Sequence, residues 1–328
     1  MGTLFIDRRD ARLEAERGTL TIRGGDGSLM RAPLAPLERV VLRGPAQLTT
    51  GAIGAIAAQG ASLLVLTGKH GDAVGTFLGP GHADATIRLG QCALALDPAA
   101  RARIATEVVR RKLIAQARLL RAAQARRPDR RLPLRRGAEA VGAALARLRG
   151  EPIGEVARLS GLEGAAAAAY FEAFGSLLPP SLGFAGRNRR PPRDPANAVL
   201  SLAYTLATAE AAREAHVAGL DPAIGFLHAP APGRPSLACD LVEPLRPVLD
   251  RLVWRLFAEE VLRAAHFARD GEACLLGKAG RLAFYAAWEE AVGPARRLLR
   301  RGLRPLVRAC RARGAALWGS GDAADAAS

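Results

Sequence analysis

The hydrophobic pattern changes period once, near residue 85, and that change limits the chain to two kinds of structure in series. Up to about residue 84 it carries short alternating or β-branched runs, TLFID, TLTIR, ERVVL, SLLVL and AVGTF, separated by turn clusters such as RGGDGS and GKHGD. Runs of this kind bounded by glycine and aspartate read as strands. From Ala85 the sequence turns to alanine, leucine and arginine, and Ile104, Val108, Leu113, Ala117 and Leu120 fall near one helical stripe. The expectation is an α+β chain: a β-rich domain over 1–84, a larger all-helical domain over 85–318, and a small polar tail over 319–328 that frays. A chain of 328 residues can give each domain a core of its own.

Several stretches refine this outline. The longest uncharged one, GAIGAIAAQGASLLVLTG at 51–68, is broken by Gln59, Ser62 and glycines, so it predicts a short helix and a buried strand, not a membrane span. ARRPDRRLPLRRG, 125–137, holds six arginines and two prolines and predicts an interruption of the helices, a solvated loop or a phosphate-facing turn. GRNRRPPRDPANAV, from 186, opens with Arg187, Arg189, Arg190 and Arg193 and then enters a long helix that Asp194 or Asn197 can cap. Trp254, Phe257, Phe284, Tyr285 and Trp288 recur at helical intervals and read as core. GKHG at 68–71 lacks the upstream glycine and the following serine or threonine of a phosphate loop and reads as a turn.

Lysine and arginine outnumber aspartate and glutamate by 47 to 31, a formal charge of +16. Such a field attracts polyanions, and nearly all of it is arginine, whose planar fork suits phosphate oxygens. Nucleic acid is the expected partner, with Arg88, Arg187, Arg189 and Arg190 as candidate contacts. Cys92, Cys239, Cys274 and Cys310 show no CxxC or paired spacing, which argues against a zinc ribbon or a disulfide framework. The opening MGTLFIDRRD carries no leader pattern. A soluble, cytoplasmic protein without a membrane partner is expected.

GLDPAIGFLHAPAPGRPSLACDLVE, 219–243, places His228 ahead of Asp240 and Glu243 in an apolar, turn-rich passage. The two acids stand three apart, which on a helix puts both carboxylates on one face, where they suit a hard divalent cation. Asp240 is placed to cap that helix, and Pro244 predicts a distorted turn. In SGLEGAAAAAYFEAFG, Glu163 stands alone among small residues, and Gly161 and Gly164 would let the backbone pack closely enough to hold its carboxylate inside.

Four motifs in order, RLGQ at 88–91, GLEGAAAAAYF around Glu163, RNRRPPRDPANAVLSLAYTLA from Arg187 and GLDPAIGFLHAPAPGRPSLACDLVEPLRP around His228, resemble the CRISPR-associated protein 1 family. The resemblance implies an integrase subunit that inserts new spacers into CRISPR arrays. It implies a homodimer with an N-terminal β domain, a helical catalytic domain, and CRISPR-associated protein 2 as adaptation partner. Carried over motif by motif, Glu163, His228 and Glu243 become metal ligands and Asp240 a further acid beside the site. Two carboxylates and an imidazole suit Mg²⁺ or Mn²⁺ and phosphodiester exchange on DNA. In one respect the chain departs from the pattern: Ala168 stands where many members have an arginine, so a phosphate contact expected there must be made elsewhere or is missing. A transposon-borne integrase or a repair nuclease would share this site, and a DNA-binding scaffold would not need it.

Overall fold

The computed structural model describes residues 2–67, 73–150, 154–188 and 191–325, and the chain divides into two units, residues 1–82 and 83–328. The GKHGD turn lies outside the described residues.

The first unit runs β1 (Gly2–Asp7), β2 (Ala11–Glu16), β3 (Thr19–Arg23), β4 (Leu29–Pro33), β5 (Leu37–Arg43), β6 (Ala46–Leu48), α1 (Thr50–Ala58), β7 (Ser62–Thr67) and β8 (Ala73–Phe77). It forms two four-stranded sheets, ordered β1-β5-β7-β8 and β4-β3-β2-β6. β5 pairs in parallel with both β1 and β7. Its run Val40, Val41, Leu42 is buried without alternation, as a strand covered on both faces requires. β2 and β3 meet in a tight hairpin at Arg17 and Gly18, whose φ angles of 50° and 75° suit the twist of antiparallel strands. Ile6, Leu13, Leu20, Ile22, Val40, Leu42 and Ile56 form the core. The expected helix and strand within 51–68 are α1 and β7, and no helix among the described residues is long and apolar enough to cross a membrane.

The second unit is mostly helical: α2 (Thr86–Leu96), α3 (Pro98–Arg126), α4 (Arg131–Gly150), α5 (Val156–Gly175), α6 (Pro195–Val217), α7 (Ser236–Val242), α8 (Arg246–Ala258) and α9 (Lys278–Asp325). Asp97 caps α3 by accepting the N–H groups of Ala99 (2.9 Å) and Ala100 (3.1 Å), with Pro98 at the first helical position. The buried stripe of α3 passes through Ala105, Val109, Leu113, Ala117 and Leu120, one residue later at its start than Ile104 and Val108 suggested. Helix α6 is buried on every side along most of its length. Of its two candidate caps, Asp194 accepts the N–H of Asn197 at 2.8 Å. Trp254, Phe257, Phe284, Tyr285 and Trp288 are buried and the four cysteines are free.

Three local expectations change. The segment 125–137 is not a loop: α3 continues to Arg126, Pro128–Arg130 form one 3-10 turn, and the rest is the start of α4, with Leu134 buried. Pro133 falls in the first turn of α4, where its missing N–H has no helical partner to lose. The helical unit also contains a hairpin, β9 (Phe267–Asp270) with β10 (Ala273–Leu276), turned at Gly271, φ 58°. Helix α9 carries its backbone to Asp325, beyond the division drawn at 318.

First and last helices of this unit meet at two glycines. A Cβ on Gly90 of α2 would strike the carbonyl of Cys310, and one on Gly314 of α9 would strike the carbonyl of Thr86. Two backbones can approach this closely only where side chains are missing.

Candidate active site

Two helical segments and one loop bring the acids to the histidine. Glu163 lies on α5, Glu243 opens the 3-10 turn Glu243–Leu245 between α7 and α8, and His228 lies in the loop before α7. That loop is pinned at several points. Fully buried Gln91 of α2 donates to the carbonyls of Asp221 (2.9 Å) and Ile224 (2.8 Å) and accepts the N–H of Asp221 (2.8 Å). Arg101 Nε donates to the carbonyl of Phe226 at 2.9 Å. Gly225 sits so close to the carbonyl of His228 and to Ser236 that any side chain there would collide with them.

Asp240 completes the anchoring. Its carboxylate accepts the backbone N–H groups of Phe226 (2.6 Å), Leu227 (3.0 Å) and His228 (2.9 Å), and its Oδ1 lies 2.7 Å from His228 Nδ1. An ionised carboxylate only accepts, so Nδ1 carries the proton and Nε2 presents its lone pair. Asp240 is therefore a positioning residue behind the histidine. It is not the cap of its helix, because α7 starts at Ser236, whose hydroxyl donates to the carbonyl of Ala229 at 2.9 Å. The distortion expected from Pro244 is present, as the 3-10 turn that separates α7 from α8.

His228 Nε2 faces Glu243 Oε1 at 4.0 Å. Glu243 is buried and meets Arg246 Nη2 at 3.0 Å and Lys112 Nζ at 2.5 Å. Burial alone would push its carboxyl up, but the Arg246 and Lys112 charges outweigh that and hold it down at about 2. The same Lys112 ammonium is hydrogen-bonded to Glu163 Oε1. One buried cation thus joins carboxylates from α5 and the 3-10 turn. The two glycines expected to pack around Glu163 do the opposite: a Cβ at Gly161 or Gly164 would meet nothing, and Gly164 lines an open cavity of about 850 Å³ beside the acid.

That cavity is also lined by Lys112, Ala168, Phe171, Arg187 and Arg246. Two arginines from other elements, Arg187 and Arg246, thus face the same cavity as Ala168. Arg187 and Arg246 both stack on Tyr204, at 5.3 and 4.8 Å from its ring centre. Arg187 also donates to Asn197 Oδ1 (2.7 Å) and Ser201 Oγ (3.1 Å), which ties it to the start of α6. Beneath them lies fully buried Asp250, which accepts the Tyr170 hydroxyl at 2.7 Å and that of Tyr204. Burial pushes the Asp250 carboxyl up, the two hydroxyls and Arg246 pull it back, and it settles at about 6. Arg88 lies half-buried on α2, outside the cavity lining. Arg189 and Arg190 lie outside the described residues.

Sequence reasoning singled out neither Lys112 nor Arg246, and it quoted Gln91 only within a motif. One signal was available for the first: Lys112 is one of three lysines among 47 basic residues, on the apolar stretch of an arginine-rich helix. As donors, the site offers carboxylate oxygens and an imidazole nitrogen, no sulfur, and a point where a cation already rests between Glu163 and Glu243. Among the described residues no three His, Cys, Asp or Glu side chains close on one point; Nζ of Lys112 stands between the two acids. Donor chemistry and the resident ammonium both fit a hard divalent cation.

A family model described as "CRISPR associated protein Cas1" matches residues 4–290. The CRISPR-associated endonuclease Cas1 1 of Thermodesulfovibrio yellowstonii is 36% identical over 305 residues, covering 92% of this chain and 94% of its own. Among solved structures, a casposase bound to integration product superposes with a TM-score of 0.85 at 21% identity, over 95% of this chain and 91% of its own. A Cas6-RT-Cas1–Cas2 complex gives a TM-score of 0.78 at 20% identity, over 95% of this chain and 35% of the matched one.

Proposed function

The chain belongs to the CRISPR-associated protein Cas1 family, and from that premise we propose that it inserts new spacers into a CRISPR array by metal-dependent phosphodiester transesterification. The observation that carries this reading is the cation held between Glu163 and Glu243, beside His228 Nε2, at the wall of a cavity that Arg187 and Arg246 also line.

Glu163, Glu243 and His228 Nε2 would hold Mg²⁺ or Mn²⁺, which supplies Lewis-acid polarisation of the scissile phosphate and offsets charge on the leaving oxygen. Asp240 keeps His228 in the tautomer that leaves Nε2 free. Lys112 and Arg246 put positive charge where a phosphate entering the cavity gathers negative charge. In the reaction, a 3′-hydroxyl oxygen of the incoming duplex bonds to a phosphorus of the repeat, and the bond from that phosphorus to its own 3′-oxygen breaks. The attacking hydroxyl gives up a proton and the leaving oxygen takes one, so one diester replaces another. Water in place of the hydroxyl nicks the strand.

The partners follow from the same reading: duplex DNA with 3′ ends, a CRISPR repeat, a second copy of this chain joined through the β-rich domain, and Cas2, which assembles with Cas1 in one of the structural neighbours. The cytoplasm is the compartment that holds these substrates.

An integration assay tests the proposal. Purified protein, a Cas2 partner, a repeat-bearing plasmid and a duplex with free 3′ ends should give joined product with Mn²⁺ or Mg²⁺ and none with EDTA. Glu163→Gln keeps the side-chain volume and should abolish joining while the protein stays folded. Near wild-type joining by folded Glu163→Gln protein would overturn the assignment.

A further inference from the structure

Between Ala291 and Ser320 helix α9 carries eight arginines and no aspartate or glutamate. Three of the eight have acidic partners: Arg296 pairs with Glu210 (2.8 Å), Arg300 with Glu214 (3.0 Å) and Arg311 with Asp84 (3.0 Å). Arg297, Arg301, Arg304 and Arg308 are exposed and make no ion pair among the described residues. Their spacing of four, three and four residues places them within about 60° of the helix circumference. The buried positions Val292, Ala295, Leu299, Leu303 and Cys310 take a different face, which packs on the rest of the unit.

Like charges three and four residues apart on a helix repel. Neighbouring acids relieve this cost at Arg296, Arg300 and Arg311, Arg313 lies within the field of Asp97, and the cost remains at Arg297, Arg301, Arg304 and Arg308. A genome that favours arginine codons explains arginine in place of lysine but not the missing acids. The row from Arg297 to Arg308 is about 17 Å long at 1.5 Å per residue, about five base steps of duplex DNA at 3.4 Å. It contains no aromatic side chain, so it can hold phosphates and has nothing on which to stack a base. None of the four arginines lines the cavity beside Glu163.

We propose that this face of α9 is a docking surface for the sugar-phosphate backbone of duplex DNA, distinct from the catalytic cavity and indifferent to sequence. It would hold the duplex flanking the reacting end or the target.

The test is binding by the full-length protein in EDTA, so that no reaction intervenes. Fluorescence anisotropy follows two labelled duplexes of unrelated sequence between about 50 and 200 mM salt. Replacing Arg297, Arg301, Arg304 and Arg308 together by alanine should weaken both duplexes alike, by about tenfold or more. The log-affinity against log-salt slope should flatten by about 0.9 for each phosphate no longer neutralised. Replacing the same four by lysine should restore most of both. The melting temperature should hold, because all four side chains are exposed. If the alanine protein does not fold, Arg301→Glu with Arg304→Glu reads the same effect.

Unchanged affinity and slope in a folded variant would overturn the proposal, as would a loss confined to one of the two sequences. The integrase reading fails separately: a wild-type protein that binds through α9 yet joins no DNA leaves the docking surface standing.

Discussion

Asp240 Oδ1 and His228 Nδ1 stand 2.7 Å apart, on a carboxylate that also gathers three consecutive backbone N–H groups. One buried side chain therefore sets both the path of the loop and the tautomer of the imidazole. Replacing its oxygen by an amide turns a donor toward donors. If His228 holds the proposed metal, Asp240→Asn should lower joining by about 10- to 100-fold, the usual effect of losing a residue that orients a ligating histidine. It should also lower the melting temperature more than Glu163→Gln does, because Lys112 keeps Glu243 as a partner in that variant. A thermal melt beside the integration assay separates the two effects.

Lys112 is 4% exposed and bridges two carboxylates. Removing one member of a buried ion pair costs about 3–5 kcal/mol because the remaining charge is left without a partner. Lys112→Met should therefore destabilise the protein in EDTA, and added Mn²⁺ should return much of the loss by replacing the cation between Glu163 and Glu243. Denaturant melts with and without Mn²⁺ measure both. A variant as stable as wild type in EDTA would show that the bridge contributes nothing.

Asp250 predicts a slope of stability with pH. Its carboxyl is raised from 3.8 to about 6 in the folded protein, so between these values the folded state keeps a proton that the unfolded chain has lost. Stability should fall as pH rises from 4 to 6 and level off on either side, a difference of about 3 kcal/mol at 1.36 kcal/mol per unit. Asp250→Asn removes this component. The gap between the urea midpoints of the two proteins should change across that window and stay constant above it, whereas parallel curves throughout would refute the buried, raised carboxyl.

Gly90→Ala should destabilise more than an ordinary glycine replacement in a helix. Alanine normally gains by helix propensity, but here its Cβ meets the carbonyl of Cys310. The helices must part, at a cost of about 1–3 kcal/mol or more. Gly161→Ala, with open space around it, serves as the control and should be neutral or stabilising.

Much of this architecture was legible because burial writes a period into the sequence. The strands TLFID, TLTIR, ERVVL and SLLVL each carry apolar side chains into a core and were readable as such. β2, ARLEAE, hides the same alternation behind alanines and charges, with only Ala11 and Leu13 buried at its start. The β9–β10 hairpin carried an Asp-Gly turn between short apolar runs, a signal outweighed by the helical pattern on both sides. Pro128 and Pro133 made 125–137 look like loop because composition does not tell a proline inside a helix from one in its first turn. At the site, an acid, an imidazole and a further acid could be recognised by residue type. Lys112 offered only its rarity among arginines, because its partners lie 51 and 131 residues away and a lysine on an amphipathic helix ordinarily faces water.

The crossing of α2 on α9 has a consequence for the order in which the molecule can be made. Gly90 emerges from the ribosome about 220 residues before Gly314, some 10–45 s earlier at ordinary rates of synthesis. Throughout that interval the surface of α2 that will lie on α9 has no partner, and Ile87 beside it has only the nascent chain to cover it. The helical unit cannot close until its last helix has been translated. A chain stopped short of α9 would retain the histidine and both glutamates and still leave the helix that carries Gln91 without the neighbour against which it packs.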